Sequence, residues 1–168
     1  MIRAYLQRRK IRREFCKLVD LKSFDALSGD LSSRPIKSGR IDFVLAFVRG
    51  ESPAEISERV ARVADLAATH GAIVYDIVSA LIILAFGTHL PSSPNSNDRS
   101  ALVHAIHEQL GADIKVLHGA ADGHYGLFGG ESRLSYTFLV PHFDRMLAAL
   151  GRLPFGETRE YQEPASPS

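Results

Sequence analysis

The amino-acid sequence predicts an α+β fold, a ferredoxin-like sandwich in which helices cover one face of a mostly antiparallel sheet. The stretch 71–87, GAIVYDIVSALIILAFG, is central to this prediction because it holds two short runs of apolar and β-branched residues between glycines. Each run has the length of a strand, and a very short turn near Ser79 would join the two into a hairpin. The apolar run 40–48, RIDFVLAFV, predicts another buried strand, and segments with helical spacing of apolar residues precede and follow the hairpin.

The first helix has the clearest start and stop signals in the chain. Ser52 is a predicted N-cap, Pro53 suits the first helical position and Glu55 completes a capping box. Gly71 should end this helix after His70. The predicted apolar stripe consists of Ile56, Val60, Val63 and Ala67.

A polar loop, 91–97, separates the hairpin from a second helix that should end at Gly111. Strands are predicted at 112–117 and 135–140, and a strand at 124–128 could pair with the first of them. The residues of the second helix that should face the core are Leu102, Val103, Ile106 and Leu110.

Pro141 would open a closing helix, and the proline-rich segment after it predicts a loose end to the chain. The predicted organisation is an N-terminal basic helix with a linker over 1–39, a domain over 40–150 and a flexible tail over 151–168. Apolar residues at helical spacing among many arginines make the N-terminal helix amphipathic. Such a helix either packs on the domain with a solvated basic face or contacts nucleic acid, anionic lipid or a partner helix.

Composition narrows the class of protein. The chain has 168 residues, 45% of them hydrophobic, which is enough for a core, and its net charge of +1 gives no strong overall preference for nucleic acid. Cys16 is the only cysteine, which excludes an internal disulfide framework and a multi-cysteine zinc site. Neither a signal peptide nor a run of about 20 apolar residues is visible, so we expect no transmembrane segment and a cytoplasmic location.

Three segments resemble the class III nucleotide cyclase homology domain, the catalytic domain of adenylyl and guanylyl cyclases. The segment 43–50, FVLAFVRG, resembles the family's first strand, which usually reads like VLFADIRGF. YDIVSALIILAFG is similar to the family's hairpin, K-T-I-G-D-G-F-L-A-V-F-G, and the segment 126–139, GLFGGESRLSYTFL, resembles G-N-I-G-S-x-x-R-x-D-Y-T-V-I. The resemblance runs from about residue 13 to residue 150 and implies a domain that works as a head-to-tail dimer with its sites at the interface.

The resemblance also implies which positions would carry catalysis, and here the chain departs from the family. The two metal-binding aspartates fall at Phe47 and Ala80, which cannot ligate a hard cation because such a cation requires oxygen ligands. The transition-state asparagine and arginine fall at Asp144 and Ala148. An aspartate there would repel phosphate, and alanine offers no donor. We therefore expect no catalytic residues, no metal site and no cofactor; Mg²⁺ or Mn²⁺ would enter only if the chain were an active enzyme.

Two positions retain some chemistry. Asp76 falls where the family has its base-reading lysine or glutamate, and Thr137 falls at the partner base-reading position. The pair would form a residual purine pocket, or Asp76 is only an acid at a strand end and Thr137 only a strand residue. Asp42 is rejected as a displaced metal ligand, because it lies five residues before Phe47 and so points to the other face of the sheet.

The histidines give weaker signals. His104 and His107 are three residues apart on a predicted helix and could begin a zinc site, but a third ligand is not evident. A second candidate is an acid–base cluster, for which ordinary polar placement is the alternative. Its members would be His118, Asp122, His124, His142 and Asp144.

The leading functional prediction is a catalytically inactive cyclase-homology domain that acts as a dimerising, regulatory module in signal transduction. It would form a homodimer or pair with another cyclase-type domain, and neither purine nucleotide nor nucleic acid is expected as a partner. One alternative is a divergent purine nucleotide cyclase, with Asp76, His142 and Asp144 as its remaining assets. Another is an adaptor that binds nucleic acid or a membrane surface through the basic N-terminal helix.

Overall fold

The computed structural model describes residues 36–87, 96–130 and 133–162, which form six strands and three helices. The strands are β1 (Lys37–Val48), β2 (Ile73–Val78), β3 (Leu81–Phe86), β4 (Ile114–Gly130), β5 (Arg133–Leu139) and β6 (Thr158–Glu160). The helices are α1 (Pro53–Thr69), α2 (Ser96–Leu110) and α3 (Phe143–Arg152), and a 3₁₀ turn over Gly111–Asp113 follows α2. The predicted N-terminal helix lies outside the described residues.

The sheet is mixed and mostly antiparallel, as the sequence predicts. Its strand order is β2-β3-β1-β4-β5, and every neighbouring pair in this order is antiparallel. β6 adds to β4 in the parallel direction, beside residues 116–118. β4 is long enough to serve two partners, because it pairs with β1 over residues 114–125 and with β5 over residues 124–130. The two strands predicted at 112–117 and 124–128 are therefore one continuous strand, and the second does not pair with the first.

Helix α1 is set by its own sequence at both ends. The Ser52 hydroxyl accepts a hydrogen bond from the Glu55 amide at 3.3 Å, and the Glu55 carboxylate accepts one from the Glu51 amide at 2.9 Å. At the other end Gly71 has a φ of +72°, its amide donates to the Ala68 carbonyl, and the next amide reaches back to Ala67. This is a Schellman ending, which turns the chain directly into β2.

The turn between β2 and β3 falls where it was predicted, with Ser79 in the left-handed region at a φ of +58°. The chain reverses within two residues, so the strands pair in a fixed register, Val78 opposite Leu81. On the other side of β3, Phe47 of β1 lies opposite Leu81 and Val44 opposite Leu84. β3 is thus held between two strands, in keeping with its nearly continuous apolar sequence.

Two hydrophobic clusters cover the two faces of the sheet. On one face the side chains of Val44, Ala46 and Val48 pack with α1 and α2. On the other face Ile41, Phe43 and Leu45 pack with α3. The four residues of α2 predicted to face the core are all buried there. The prediction that helices cover one face of the sheet is right for α1 and α2. It is wrong for α3, whose buried Met146 and Leu150 cover the opposite face.

The end of the described chain is not the loose tail that its prolines predicted from residue 151. α3 continues to Arg152, Leu153 is buried, and β6 then pairs with β4. The Tyr161 amide donates to the His118 carbonyl at 2.7 Å, and the Tyr161 ring packs 6.2 Å from Phe43. The proline content of the segment could not predict these contacts, because they join segments that are distant in sequence.

Candidate functional site

A pocket of about 240 Å³ lies between β2 and β5, the two strands at opposite ends of the sheet order. The strands approach each other because the second half of β4 carries β5 toward β2, and the rings of Tyr75 and Phe138 meet edge to face at 4.8 Å. The pocket brings together Asp76 and Thr137, the two positions to which the resemblance gave base-reading roles. Its lining residues are Tyr75, Asp76, Ile83, Thr137, Phe138, Leu139, Val140 and Phe143.

The position of Asp76 follows from an irregularity in β2. The pairing of β2 with β3 shifts register between Val74 and Asp76, which is a β-bulge. The Asp76 carboxylate is exposed and accepts a hydrogen bond from the Ile77 amide at 2.9 Å. Thr137 is half-buried on β5. The pocket therefore has a mostly apolar lining, with the carboxylate of Asp76 and the hydroxyls of Thr137 and Tyr75 as its polar side-chain groups, which suits a flat ring or an apolar side chain with a polar edge.

The two positions aligned with metal-binding aspartates lie on paired segments but not directly opposite each other. The Val48 amide donates to the Ala80 carbonyl at 3.0 Å, whereas Phe47 is paired with Leu81. Ala80 is 4% exposed and belongs to the core under α1 and α2. Phe47 is half-buried, and its ring centroid lies 6.1 Å from that of Phe155 and 5.5 Å from the Lys115 ammonium.

These side chains do not fit a divalent cation. A benzyl group and a methyl group supply no oxygen ligand, and the charged group in contact with the Phe47 ring, Lys115, is itself a cation. Within the described parts of the chain, no three histidine, cysteine, aspartate or glutamate side chains lie close enough together to hold a metal ion. No step of a metal-assisted reaction can therefore be derived for this pair of positions.

The two positions aligned with transition-state residues lie on α3. Asp144 and Ala148 are exposed and one helical turn apart, and Phe143 immediately before them lines the pocket. His142 precedes the helix in the left-handed region, with a φ of +58° and no side-chain capping bond. Asp144 thus lies next to a residue that lines the pocket.

Within the part of the chain that it describes, the structure forms no zinc site at His104 and His107 and separates two members of the suggested acid–base cluster, His118 and His124. His104 on α2 is exposed and lies 3.2 Å from Glu108, and the exposed His107 gains no third ligand among the described residues. His118 and His124 lie on the same strand but six residues apart, about 20 Å along it. His124 instead lies 2.8 Å from the Ser38 hydroxyl.

Sequence reasoning missed a buried charge cluster at the start of α2. Arg99 is only 8% exposed and binds Asp42 of β1 at 2.5 Å and Glu160 of β6 at 2.8 Å. Asp42 thus faces α2, away from α3, as its odd offset from Phe47 predicted. His118 lies next to the cluster, and burial followed by the charge of Arg99 lowers its pKa, while Glu160 opposes that shift. No local signal in the sequence joins these residues, because they come from four separate elements.

A second missed feature is the apolar surface around the pocket. Five large hydrophobic side chains are exposed among the described residues, and four of them lie on β2, β5 or α3, which all line the pocket. We call these four the apolar rim: Ile77, Val78, Leu139 and Leu147. Val78 and Leu139 are the most exposed of the four, at 54% and 52%.

Comparison with solved structures identifies the fold. The adenylyl cyclase CyaB from P. aeruginosa aligns with 74% of this chain and 78% of its own, at 14% sequence identity and a TM-score of 0.56. The fold is that of the class III nucleotide cyclase catalytic domains. A bacterial light-regulated adenylyl cyclase aligns with 89% of this chain at 9% identity and a TM-score of 0.67, and the aligned part is 51% of that protein.

A third similar structure is a dimeric guanylyl cyclase domain, from the RhoGC fusion protein of the aquatic fungus Blastocladiella emersonii. It aligns with 74% of this chain and 80% of its own, at 8% identity and a TM-score of 0.59. No protein-family model matches the chain, and no curated protein matches it. The cyclase fold predicted from three short segments is thus confirmed by structure.

Within residues 36–87, 96–130 and 133–162, no helix has both the length and the apolar sequence needed to cross a lipid bilayer.

Proposed function

We propose that this chain is a cyclase-fold module that does not form cyclic nucleotides and that acts in signalling by dimerising through its apolar rim. The observation that carries the proposal is the contrast between the positions aligned with metal ligands and the pocket. The strands that carry residues 47 and 80 are paired, but the side chains at these positions are phenylalanine and alanine. Around the neighbouring pocket, by contrast, the rim presents apolar groups to solvent.

The rim supports dimerisation because its residues are grouped. Single exposed hydrophobic residues are normal on a protein surface, whereas exposed apolar groups gathered around one concavity mark an interaction site. Val78 is exposed at the end of the β2–β3 hairpin, on the side of the sheet where its partner Leu81 packs, and the pocket on that side is lined mostly by apolar side chains. A projection next to an apolar recess is self-complementary, which a twofold interface between copies requires.

The occupant to which we commit is a second copy of this chain. The dimeric guanylyl cyclase domain from Blastocladiella emersonii shows that this fold can assemble in pairs. A genuine cyclase-type domain with the same fold would present a comparable face, and it is the natural heterologous partner.

Analytical ultracentrifugation with matched variants tests the interface. We expect the unmodified chain to dimerise and Val78→Lys to weaken dimerisation at least tenfold, because a charge would be buried in an apolar contact. Ile36→Lys is the control, since Ile36 is exposed to a similar extent, 50% against 54% for Val78, but lies before β1 and is not a rim residue. A chain that remains monomeric at high micromolar concentration, or equal weakening by both substitutions, would refute the interface.

Nucleotide turnover tests the inactive half of the proposal. The protein would be incubated with ATP or GTP and excess Mn²⁺, and cyclic product would be sought by mass spectrometry. We expect none above a protein-free blank, because neither residue 47 nor residue 80 supplies a metal ligand. Product formation would overturn this part and leave the dimer result unaffected.

A divergent purine nucleotide cyclase is the second candidate, and one observation favours it. Asp76 and Thr137 line the same pocket, so a carboxylate and a hydroxyl are available to a purine edge. The volume of about 240 Å³ is below the usual range of about 300–1,000 Å³ for ligand pockets, so it suits a base better than a whole nucleotide. If cyclic product forms and Asp144→Ala abolishes it, this candidate replaces the first.

A further inference from the structure

β6 is a short strand at the edge of the sheet, and few contacts hold it there. It spans three residues, all of them exposed, and among the described strands it pairs with β4 alone. On either side of β6, the Gly156 amide donates to the Ile114 carbonyl and the Tyr161 amide to the His118 carbonyl, both at 2.7 Å. We call residues 156–161 the strap. A segment with so few contacts can leave a sheet without unfolding of the whole domain.

Two side chains anchor the strap, one on each face of the sheet. Glu160 is paired directly with His118 of β4 and binds Arg99 of α2 at 2.8 Å. On the face covered by α3, the Tyr161 ring packs 6.2 Å from the buried ring of Phe43. One anchor is therefore an ion pair, whose strength depends on the charges around it.

His118 is the titratable group beside this ion pair. Its Nδ1 is buried and has no hydrogen-bond partner among the described residues. The charged groups that face the ring are Arg99 from α2 and Glu160 from β6, and Asp42 of β1 is the second partner of Arg99. Burial, followed by the charge of Arg99, lowers the pKa of His118, while Glu160 opposes that shift. The docked strap therefore favours the neutral ring.

We propose that the strap is an acid-released latch, in which protonation of the His118 ring displaces residues 156–161 from the edge of β4. An imidazolium donates from both ring nitrogens, so with the strap docked Nδ1 would be a buried donor without an acceptor, next to the cationic Arg99. Release of the strap removes this cost, because water then reaches the ring from the opened edge of β4. The edge itself gains unpaired amide and carbonyl groups, which can pair with another strand.

The direction of the pH dependence follows from the lowered pKa. Since the released form binds the proton more tightly than the docked form, docking is strongest above pH 6.5 and weakens as the pH falls below it. One proton bound at an ordinary pKa of 6.5 can change the docking equilibrium by at most about tenfold between pH 7.5 and 5.5. This inference depends on neither dimerisation nor the absence of turnover.

Hydrogen exchange of the unmodified chain, corrected for the intrinsic rate at each pH, tests the release. We expect the protection of the Tyr161 amide to fall by about threefold to tenfold from pH 7.5 to 5.5. His118→Gln should abolish this fall, and His107→Gln, at an exposed position on α2, should preserve it. Protection that does not change with pH, or a fall that persists in His118→Gln, would overturn the latch.

The same data show whether release is local. The strap amides should exchange at least about tenfold faster than those of residues 43–45 in the central strand β1 at both pH values. Equal exchange would mean that β6 leaves only when the domain unfolds, which contradicts a latch.

A second measurement needs no substitution. In a nuclear magnetic resonance titration the His118 ring should gain its proton below pH 6.5, and titration at or above 6.5 would overturn the inference even if His118→Gln did not fold. Glu160→Gln should lower the protection of the Tyr161 amide already at pH 7.5, because it removes the tie to Arg99. Neither experiment reads dimerisation or turnover, so failure here is distinguishable from failure of the proposed function.

Discussion

Gly123 is the residue at which the pocket depends most directly on the absence of a side chain. It is buried on β4, paired with Gly39 of β1, one residue before β4 begins to pair with β5. A Cβ atom at this position would lie 2.5 Å from the Leu139 carbonyl oxygen and 2.9 Å from both the Ile41 Cδ1 and the Val140 Cγ1. Because Leu139 and Val140 line the pocket, Gly123→Ala should disturb both the fold and the site.

The expected loss of stability depends on which atom the new Cβ would approach most closely. Overpacking a well-filled interior costs about 1–3 kcal/mol, and a flexible side chain would keep the cost low by moving. Here the closest atom belongs to the backbone of β5, so relief requires the strand itself to shift, and we expect a loss of about 2–3 kcal/mol. With a urea m-value of about 2 kcal/mol/M, the unfolding midpoint should fall by about 1–1.5 M.

Urea denaturation followed by circular dichroism measures this loss, and Gly151→Ala is the matched control. A Cβ at Gly151 meets no atom within 4 Å, and the residue lies within α3, so alanine there should be neutral or stabilising by up to about 1 kcal/mol. A Gly123→Ala protein within about 0.5 kcal/mol of the unmodified chain would refute the close approach of β5. Equal losses at both glycines would show that the effect does not come from this contact.

The charge cluster at the start of α2 gives two further predictions. The pKa of His118 is lowered from its ordinary 6.5, so below that pH the unfolded chain binds more protons than the folded chain. The stability present above pH 6.5 should therefore be lost as the pH falls, by at most about 1.4 kcal/mol per pH unit. His118→Gln should remove this slope between pH 7.5 and 5.5 while His107→Gln, on the exposed side of α2, keeps it; an unchanged slope in both contradicts the assignment. Arg99→Ala should lower the free energy of unfolding by about 3 kcal/mol, because it leaves Asp42 without its partner. Glu160→Gln should lower it by less than about 1 kcal/mol, because the Glu160 side chain is 57% exposed; urea midpoints in the reverse order would refute the cluster's role.

The elements that the sequence predicted well are those whose signals are local. α1 has its cap, its proline and its terminal glycine within the helix or next to it, and the β2–β3 hairpin has strand residues on both sides of a two-residue turn. The prediction divides β4 at residues 118–123, which contain Gly119 and Gly123. In the fold both glycines are needed for close approach, of Tyr161 at Gly119 and of β5 at Gly123.

The candidate site divides in the same way. Asp76 and Thr137 were found because each lies in a segment that resembles the cyclase family, and the fold then placed both in one pocket. Lys115 has no such signal, because its contacts are with Phe47 on another strand and with carbonyls at the end of α3. Periodicity cannot reveal a contact of this kind, since it depends on how distant segments pack.

A fold of this kind can lose its catalytic side chains and keep its strand arrangement, because buried apolar side chains and backbone hydrogen bonds determine the arrangement. The segments that carry residues 47 and 80 are joined by the hydrogen bond from the Val48 amide to the Ala80 carbonyl and by the register of β1 with β3, which the buried side chains of Val44, Ile82 and Leu84 fix. Replacing carboxylates with apolar groups at such a position removes the need to balance buried negative charge with metal ions. The strand pairing would then persist without metal, and selection on the surface could continue through the exposed rim alone. The proposed inactive module that recognises its own fold would be one product of that separation.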